Sequence, residues 1–226
     1  MQFKNRACAG AALAERLQHY RGQPAVIVLA LPRGGVPVAA EVARSLEAPL
    51  DVLVVRKLGV PGWEELAMGA IASGGTCVMN DEVIGALGLD VRQSVDQVLA
   101  AEREELRSRE DRYRGGKPFP DLRGRCVILV DDGLATGATM RAAARAVRQQ
   151  GAARIVIAVP VGAPSTCHDL GSEADEVICA ATPESFFGVG QFYADFRQTT
   201  DDEVRQLLSE AKGCPTVTPG PGPSSH

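Results

Sequence analysis

Short runs of consecutive apolar residues recur along the chain, and longer stretches with a helical alternation of apolar and polar residues separate them. Unbroken apolar runs are typical of strands buried on both faces of a parallel sheet, and amphipathic stretches are typical of the helices that cover it. The predicted strands are residues 25–31, 51–55, 127–130, 154–159 and 175–179. The predicted helices are residues 6–20, 36–46, 90–113, 140–151, 163–170 and 201–212. The alternation predicts an α/β fold, with a twisted, mostly parallel sheet and helices on both faces.

One segment departs from this alternation. Residues 58–75 contain five Gly, one Pro and the only Trp of the chain, and they show no clear period. Two interpretations stay open: a mobile lid over a neighbouring site, or a β-hairpin arm used for contact between subunits. A short strand at 76–79 and a short helix at 81–87, capped by Asn80 or Asp81, are predicted to follow.

The domain organisation follows from these elements. We expect one domain over residues 1–212, with the lid or arm at about 56–78. Asp201 and Asp202 are predicted to cap the closing helix of this domain. Residues 213–226 are rich in Pro, Gly and Ser and are predicted to form a disordered tail.

Composition and charge narrow the class of protein. The 226 residues are 45% hydrophobic and 23% charged, with a net charge of −4. This acidic balance argues against a nucleic-acid partner or an anionic membrane surface. No apolar run approaches the length of a membrane span, and Glu15 and Arg16 interrupt the N-terminal segment too early for a signal peptide. We therefore expect a cytoplasmic protein with no membrane or nucleic-acid partner.

The cysteines are interpreted as reduced core thiols, with zinc binding as a remote alternative. They show no CxxC spacing, and several stand in apolar runs. Their positions are 8, 77, 126, 167, 179 and 214.

The stretch from Val127 to Thr139, VILVDDGLATGAT, carries the clearest candidate chemistry. An apolar strand is followed by two carboxylates, Asp131 and Asp132, and then by a loop of small residues that leads into a helix. The loop N–H groups and the helix N-terminus favour an anion, and the hydroxyls of Thr136 and Thr139 can donate to it. The carboxylates suit sugar hydroxyls or a hydrated divalent metal. The pattern predicts a site for a phosphate attached to a polyol, with magnesium nearby.

Two further strand ends carry cations. Arg33, Gly34 and Gly35 follow the first strand, and glycines let an anion approach the backbone closely, so we interpret this turn as a second phosphate contact. Arg56 and Lys57 end the second predicted strand, at the edge where ligands of open α/β sheets bind. These adjacent cations favour a polyanion over a role as solvent-facing charges.

The long charged helix and the aromatic-rich segment 180–200 are more ambiguous. The charges at 102–117 have mixed signs and favour a solvated helix face over an anion-binding surface, although Arg112–Arg114 could still reach a neighbouring site. The aromatic cluster in 180–200 is either a hydrophobic plug that closes the core or a stacking platform for a planar ring.

The sequence VILVDDGLATGATM resembles the phosphoribosyl pyrophosphate motif of type I phosphoribosyltransferases, with two acidic residues before a TGxT loop. PRGGVPVA resembles the pyrophosphate loop of this family. VVRKLGVPG resembles the Arg-Lys segment at the start of the flexible loop in adenine and orotate phosphoribosyltransferases. The resemblance covers roughly residues 25–160 and is closest to a bacterial group whose acceptor is unassigned.

The resemblance implies roles for the matched residues. Asp131 and Asp132 would hold the ribose hydroxyls and, through these or water, Mg²⁺. The 5-phosphate would be bound by Ala135, Thr136, Gly137, Ala138 and Thr139. The pyrophosphate would be bound by Arg33, Gly34, Gly35, Arg56 and Lys57. In this family, the loop that corresponds to Arg33, Gly34 and Gly35 often has a non-proline cis peptide. A hood over the acceptor would include Phe187, Val189 and Tyr193.

One departure concerns the general base. Hypoxanthine-guanine phosphoribosyltransferases have an Asp directly before TGxT, where this chain has Ala135, so the loop resembles the adenine type instead. Glu64 and Glu65, in the predicted lid or arm, are the candidate acid/base residues.

The resemblance implies a magnesium-dependent transfer of a phosphoribosyl group from phosphoribosyl pyrophosphate to a nitrogenous base, with release of pyrophosphate, by a homodimer. A ligand-sensing regulator on the same fold and a ribose-phosphate hydrolase remain alternatives.

Overall fold

The computed structural model describes residues 2–60, 62–86 and 90–211, apart from the side chains of 64, 65, 81, 82 and 90–94. Residue 212 and the predicted tail lie outside this range. The helices are α1 (Arg6–Arg16), α2 (Gly35–Leu46), α3 (Asp81–Ala86), α4 (Asp90–Arg114), α5 (Ala138–Gln149), α6 (Pro164–Asp169) and α7 (Asp201–Ala211). The strands are β1 (Val26–Ala30), β2 (Leu50–Val52), β3 (Val55–Val60), β4 (Trp63–Ala72), β5 (Thr76–Met79), β6 (Cys126–Val130), β7 (Arg154–Val161) and β8 (Glu176–Ala181).

The central sheet has five strands in the order β2-β1-β6-β7-β8, and every neighbouring pair is parallel. Along β1, Val28 belongs to the core beneath α1 and α2, whereas Ile27 and Leu29 belong to the core beneath α5. Successive side chains of a strand point to opposite faces, so both faces of this sheet are buried and no polar position is needed. The predicted α/β fold with helices on both faces is confirmed.

Residues 55–79 form a second, antiparallel sheet in the order β3-β4-β5, which we call the arm. The prediction of an irregular segment at 58–75 was wrong, and the hairpin alternative describes its shape. The pairing of β3 with β4 shifts register around Gly59, which breaks the alternation expected of strands. Trp63 lies near the hairpin turn and is 71% exposed.

Several element boundaries differ from the predictions. The predicted strand at 51–55 is divided between β2 and the arm. Strand β7 continues through Pro160, because its pairing with β6 ends at Ala158 and the ladder beyond is open on one side. The N-terminal helix ends at Arg16, and a 3₁₀ turn follows it.

Two helix caps can be compared with the predictions. Asn80, of the two predicted caps of α3, accepts a hydrogen bond from the N–H of Val83. Helix α7 is capped by Thr200, which exchanges hydrogen bonds with Glu203 in a capping box, so the prediction of Asp201 and Asp202 as caps was wrong.

The interpretation of all cysteines as reduced core thiols was also wrong. The structure joins Cys167 and Cys179 in a disulfide between α6 and β8, and Cys8 is exposed. Cys126 is buried, as predicted. Among the described residues, no helix is long and apolar enough to cross a bilayer.

Candidate active site

Two loops meet at the carboxyl edge of the parallel sheet, one after β1 and one after β6. The N–H of Leu31 donates to the carbonyl of Val130 at 2.9 Å. A Cβ atom at Gly34 would overlap the carboxylate of Asp132, and a Cβ atom at Gly35 would lie 2.7 Å from the carbonyl oxygen of Val130. Because glycine alone leaves this space, the predicted pyrophosphate loop is packed directly against the predicted acidic pair.

The acidic pair is held by two contacts that the sequence did not predict. Asp132 accepts a hydrogen bond at 2.8 Å from Nε of Arg6, the first residue of α1, and the side chains of Arg6 and Asp132 are 11% and 15% exposed. The hydroxyl of Tyr193 donates to the backbone carbonyl of Asp132 at 2.6 Å. The guanidinium of Arg6 also lies over the ring of Phe196, 4.1 Å from its centroid. The start of α1 and the segment before α7 therefore close over Asp132.

Burial sets the ionisation of these carboxyls. Desolvation raises the pKa of Asp131 well above its usual range, and the adjacent charge of Asp132 adds to this rise. Desolvation also raises the pKa of Asp132, but the hydrogen bond from Arg6 opposes this effect. Two close carboxyls in such surroundings favour a cation or sugar hydroxyls as neighbours.

The anion loop of residues 133–139 has the predicted strand–loop–helix form. Gly137 has φ +71°, a left-handed conformation that favours glycine, and α5 begins at the next residue. Thr136 and Thr139 are exposed at this loop. Behind the loop, the buried hydroxyl of Thr166 donates to the carbonyl of Ala135 at 2.6 Å. The helix N-terminus and the two exposed hydroxyls face solvent, as a phosphate site requires.

A cavity of about 440 Å³, which we call the polar cavity, lies beside Asp132. It is lined by Arg6, Pro32, Arg33, Gly34, Arg109, Arg112, Tyr113, Asp132, Gln198, Thr199 and Asp201. The peptide bond between Pro32 and Arg33 in its wall is cis, as the family resemblance implies. The sequence did not predict a role for Asp201 or Arg109 in this cavity. For Arg112 and Tyr113, it indicated that the side chains could reach a neighbouring site.

Arg56 and Lys57 lie in the predicted lid or arm, and their contact with pyrophosphate stays a prediction. Both belong to β3 of the arm, and Nε of Arg56 donates to Glu102 of α4 at 2.6 Å. Lys57 lines a second cavity of about 300 Å³, which we call the arm-side cavity, together with Ala138 and Thr139 at the start of α5. The described residues that line the polar cavity do not include Arg56 or Lys57.

The predicted hood residues have different surroundings. Phe187 is 93% exposed, whereas Tyr193 is 4% exposed, with its ring packed against Phe3 and Phe196 at centroid distances of 5.7 and 5.1 Å. Val189 is partly buried against Gly133 of the anion loop. The packing of Tyr193 fits the interpretation as a hydrophobic plug, while Phe187 is the hood residue that is free to contact a planar ligand. Glu64 and Glu65 belong to β4, and their side chains lie outside the described residues.

Comparison with known proteins agrees with this geometry. Residues 3–197 match the family model described as a phosphoribosyl transferase domain. Two proteins of Mycobacterium tuberculosis, named provisionally as phosphoribosyl transferases MT0597 and Rv0571c, are each 51% identical over 209 residues, or 92% of this chain. The chain spans about half the length of these relatives, 47% of each. The crystal structure of TT1426 from Thermus thermophilus is 44% identical, with a TM-score of 0.83 over 93% of this chain and 99% of that one.

Proposed function

Because this chain belongs to the phosphoribosyl transferase family, we propose that it transfers the 5-phosphoribosyl group of phosphoribosyl pyrophosphate to a nitrogenous base, with Mg²⁺ as cofactor. The observation that carries this proposal is the contact between the loop of Arg33, Gly34 and Gly35 and the pair Asp131–Asp132. This contact aligns a cationic loop, two carboxylates and an anion loop along one edge of the sheet. A donor with pyrophosphate, ribose hydroxyls and a 5-phosphate needs these three groups in this order.

Each part of the site has a role in this reaction. Asp131 and Asp132 bind the ribose hydroxyls, and residues 135–139 bind the 5-phosphate through N–H groups at the start of α5. Arg33 contacts the pyrophosphate that leaves C1. Displacement at C1 develops positive charge on the ribose, which two adjacent carboxylates stabilise. The protein performs little covalent chemistry and acts mainly by positioning both reactants.

Mg²⁺ suits this set of ligands. It prefers oxygen ligands, keeps several waters, and is commonly bound by one or two carboxylates together with substrate phosphates. Asp131 and Asp132 supply such carboxylates, which would hold the ion through water or through the ribose hydroxyls. When bound there, the ion would neutralise charge on the departing pyrophosphate.

Fewer contacts define the part of the site that would bind the acceptor than define the part that would bind the donor. Ala135 supplies no acid or base, so Glu64 and Glu65 of the arm remain the candidate groups that move the proton. Phe187 and Val189 are the candidate hood contacts for a planar base. The homodimer and the cytoplasmic location stay predictions.

Pyrophosphate release tests the proposal. The full chain is incubated with Mg²⁺ and phosphoribosyl pyrophosphate, with and without a panel of nucleobases, and released pyrophosphate and new nucleotide are measured. Release that depends on a base, with nucleotide formed in equal amount, is the expected result. Release without any base would instead indicate a hydrolase, and binding without release would indicate a sensor; either result would contradict the proposal.

A further inference from the structure

The polar cavity carries more positive charge than the predicted pyrophosphate loop alone would supply. Four guanidinium groups line it, from Arg6, Arg33, Arg109 and Arg112, against two carboxylates. The whole chain has a net charge of −4, so this excess of cations is local. Arginine is the side chain that best matches the oxygens of phosphates, because its planar fork donates several hydrogen bonds. The cavity therefore has the lining expected for a polyanion.

Two of these arginines come from the long helix α4. Arg109 and Arg112 are three residues apart and so lie on one face of the helix. One residue beyond them, Tyr113 is buried and donates to Asp201 at 2.9 Å. Arg114 is 5% exposed and donates to Asp51 of the parallel sheet at 2.9 Å. These two buried contacts fix the end of α4 and thereby aim the face with Arg109 and Arg112 at the cavity.

Asp201 occupies the cavity as an internal anion. Its Oδ2 accepts from Nη1 of Arg112 at 2.8 Å, and its Oδ1 accepts from the hydroxyl of Tyr113. Nη1 of Arg33 lies 3.6 Å from the same Oδ1. Two hydrogen-bond donors of α4 and the guanidinium of Arg33, at ion-pair distance, thus already converge on carboxylate oxygens, and phosphate oxygens would use the same groups.

The alternative cations belong to the arm. Arg56 is paired with Glu102, as Arg109 is paired with Glu105 within α4, and Lys57 lines the arm-side cavity with the start of the anion loop's helix. Asp132 and Gly34, which border the reacting end of the proposed donor, line the polar cavity instead. The cations that line this cavity with them are Arg6 of α1, Arg33 of the loop after β1, and Arg109 and Arg112 of α4.

We infer that Arg109 and Arg112, together with Arg33, bind the pyrophosphate end of the donor. This inference rests on the proposed function. On binding, Arg112 and Arg33 exchange the carboxylate oxygens of Asp201 for phosphate oxygens, and Arg109 adds a further guanidinium from the same helix face. Helix α4, which the arm precedes in the chain, becomes part of the donor site.

Calorimetric titration with two probes tests this assignment. Magnesium pyrophosphate reports the polar cavity, and ribose 5-phosphate reports the anion loop, both at one fixed ionic strength. The variants are Arg109→Gln and Arg112→Gln, with Arg56→Gln and Lys57→Gln for the competing assignment. Arg107→Gln is the matched control, because Arg107 is exposed on another face of α4 and does not line the cavity. Thermal unfolding of each variant confirms that it is folded.

We expect Arg109→Gln and Arg112→Gln each to weaken magnesium pyrophosphate about tenfold or more, since each removes a charge-assisted hydrogen bond. Ribose 5-phosphate should bind the two α4 variants like the wild type, and Arg107→Gln should bind both probes like the wild type. Arg56→Gln and Lys57→Gln should weaken magnesium pyrophosphate less than either α4 variant does.

Two other results are informative. Unchanged pyrophosphate binding in the α4 variants, or a loss confined to Arg56→Gln and Lys57→Gln, would overturn the inference and leave base-dependent transfer untouched. Pyrophosphate binding that depends on both α4 arginines, in a protein without base-dependent transfer, would support the subsite and reject the transferase.

Discussion

The polar cavity and the arm-side cavity border the two ends of the same loop, yet they are built differently. Asp132, at the start of the loop, lines the first, whereas Ala138 and Thr139, at its end, line the second. The polar cavity is formed by charged side chains from segments that are distant in sequence. The arm-side cavity is formed largely by small and apolar residues of the arm and by one face of α5, with Lys57 and two arginines at its border.

The two cavities differ in how their charged side chains are paired. In the polar cavity, Arg6 is paired with Asp132 across 126 residues, and Arg112 is paired with Asp201 across 89. Partly buried charges need such partners, because desolvation of an unpaired charge is costly. The pairs keep cations and carboxylates ready beside the reacting end of the proposed donor. At the border of the arm-side cavity, Arg141 and Arg145 are both paired with Glu173, which does not itself line the cavity.

Removal of both carboxylates should have the largest effect and tests whether the chemistry belongs to the polar side. We expect the double variant Asp131→Asn with Asp132→Asn to lose turnover by about 10³-fold, because preorganised charge at the reacting centre is lost. Asparagine keeps the shape and a hydrogen-bond acceptor, so circular dichroism should be unchanged, and thermal unfolding measures the cost of losing the ion pair with Arg6. Asp121→Asn with Asp202→Asn removes the same charge from exposed positions and should retain full turnover. Turnover close to that of the wild type in the first variant would contradict the assignment.

Gly35→Ala tests the contact between the two loops. The new methyl group would lie 2.7 Å from the carbonyl of Val130 and 2.9 Å from Cα of Asp131, and both are backbone atoms of a buried strand end. We expect a loss of about 1–3 kcal/mol in the free energy of unfolding from overpacking, with reduced turnover. Urea unfolding measures the first and the pyrophosphate assay the second. Gly171→Ala is the control, because a Cβ there meets no atom within 4 Å. Equal stability of the two variants would show that the loops do not need this close approach.

The central sheet and the arm also differ in how far they could be predicted from the sequence. The inner strands β1, β6 and β7 were predictable because they are buried on both faces and therefore almost uniformly apolar. The arm was predicted only as one of two alternatives. The shift in its pairing at Gly59 and the small Gly69, whose Cβ would lie 2.6 Å from the carbonyl of Val78, remove the alternation that marks a strand.

The same distinction applies to the site. The anion loop and the acidic pair are contiguous in sequence, so their residue types alone indicated a phosphate and a polyol. Arg6 and Asp201 join the site only through packing, and no local pattern distinguishes them from other helix-terminal charges. Asp201 was interpreted as a cap, but Thr200 performs that role and leaves the carboxylate of Asp201 for the cavity.

Thr166→Val tests the support behind the anion loop, on the side of the second cavity. Valine has nearly the same shape as threonine but cannot donate to the carbonyl of Ala135. We expect a loss of about 1 kcal/mol in the free energy of unfolding and a severalfold weaker affinity for ribose 5-phosphate, with pyrophosphate affinity unchanged. Ser172→Ala removes a hydroxyl that donates to a backbone carbonyl on the exposed surface nearby, and it should change neither affinity. If pyrophosphate affinity fell as much as ribose 5-phosphate affinity in Thr166→Val, the two ends of the loop would not act separately.

Asp201→Asn should have the smallest effect and tests whether the pairs of the polar cavity contribute to stability. The hydrogen bond from Arg112, assisted by that from Tyr113, lowers the pKa of Asp201 below its usual value of 3.8. A lowered pKa in the folded state means that the charged carboxylate stabilises the fold at every pH above 3.8, and that this contribution is lost as the pH falls further and the group is protonated. Asp201 is 26% exposed, so we expect the variant to be less stable than the wild type by at most about 1 kcal/mol at pH 7.

Urea unfolding at a series of pH values measures this difference, which should shrink to zero as the pH falls below 3.8. Asp202→Asn, at the neighbouring and 83% exposed position, is the control and should be as stable as the wild type at pH 7. If the variant at position 201 is as stable as the wild type at pH 7, the contacts of Asp201 make no net contribution to the free energy of unfolding. That outcome would still agree with an internal anion that a phosphate replaces, because a carboxylate with little net stabilisation is also the one that is easiest to displace.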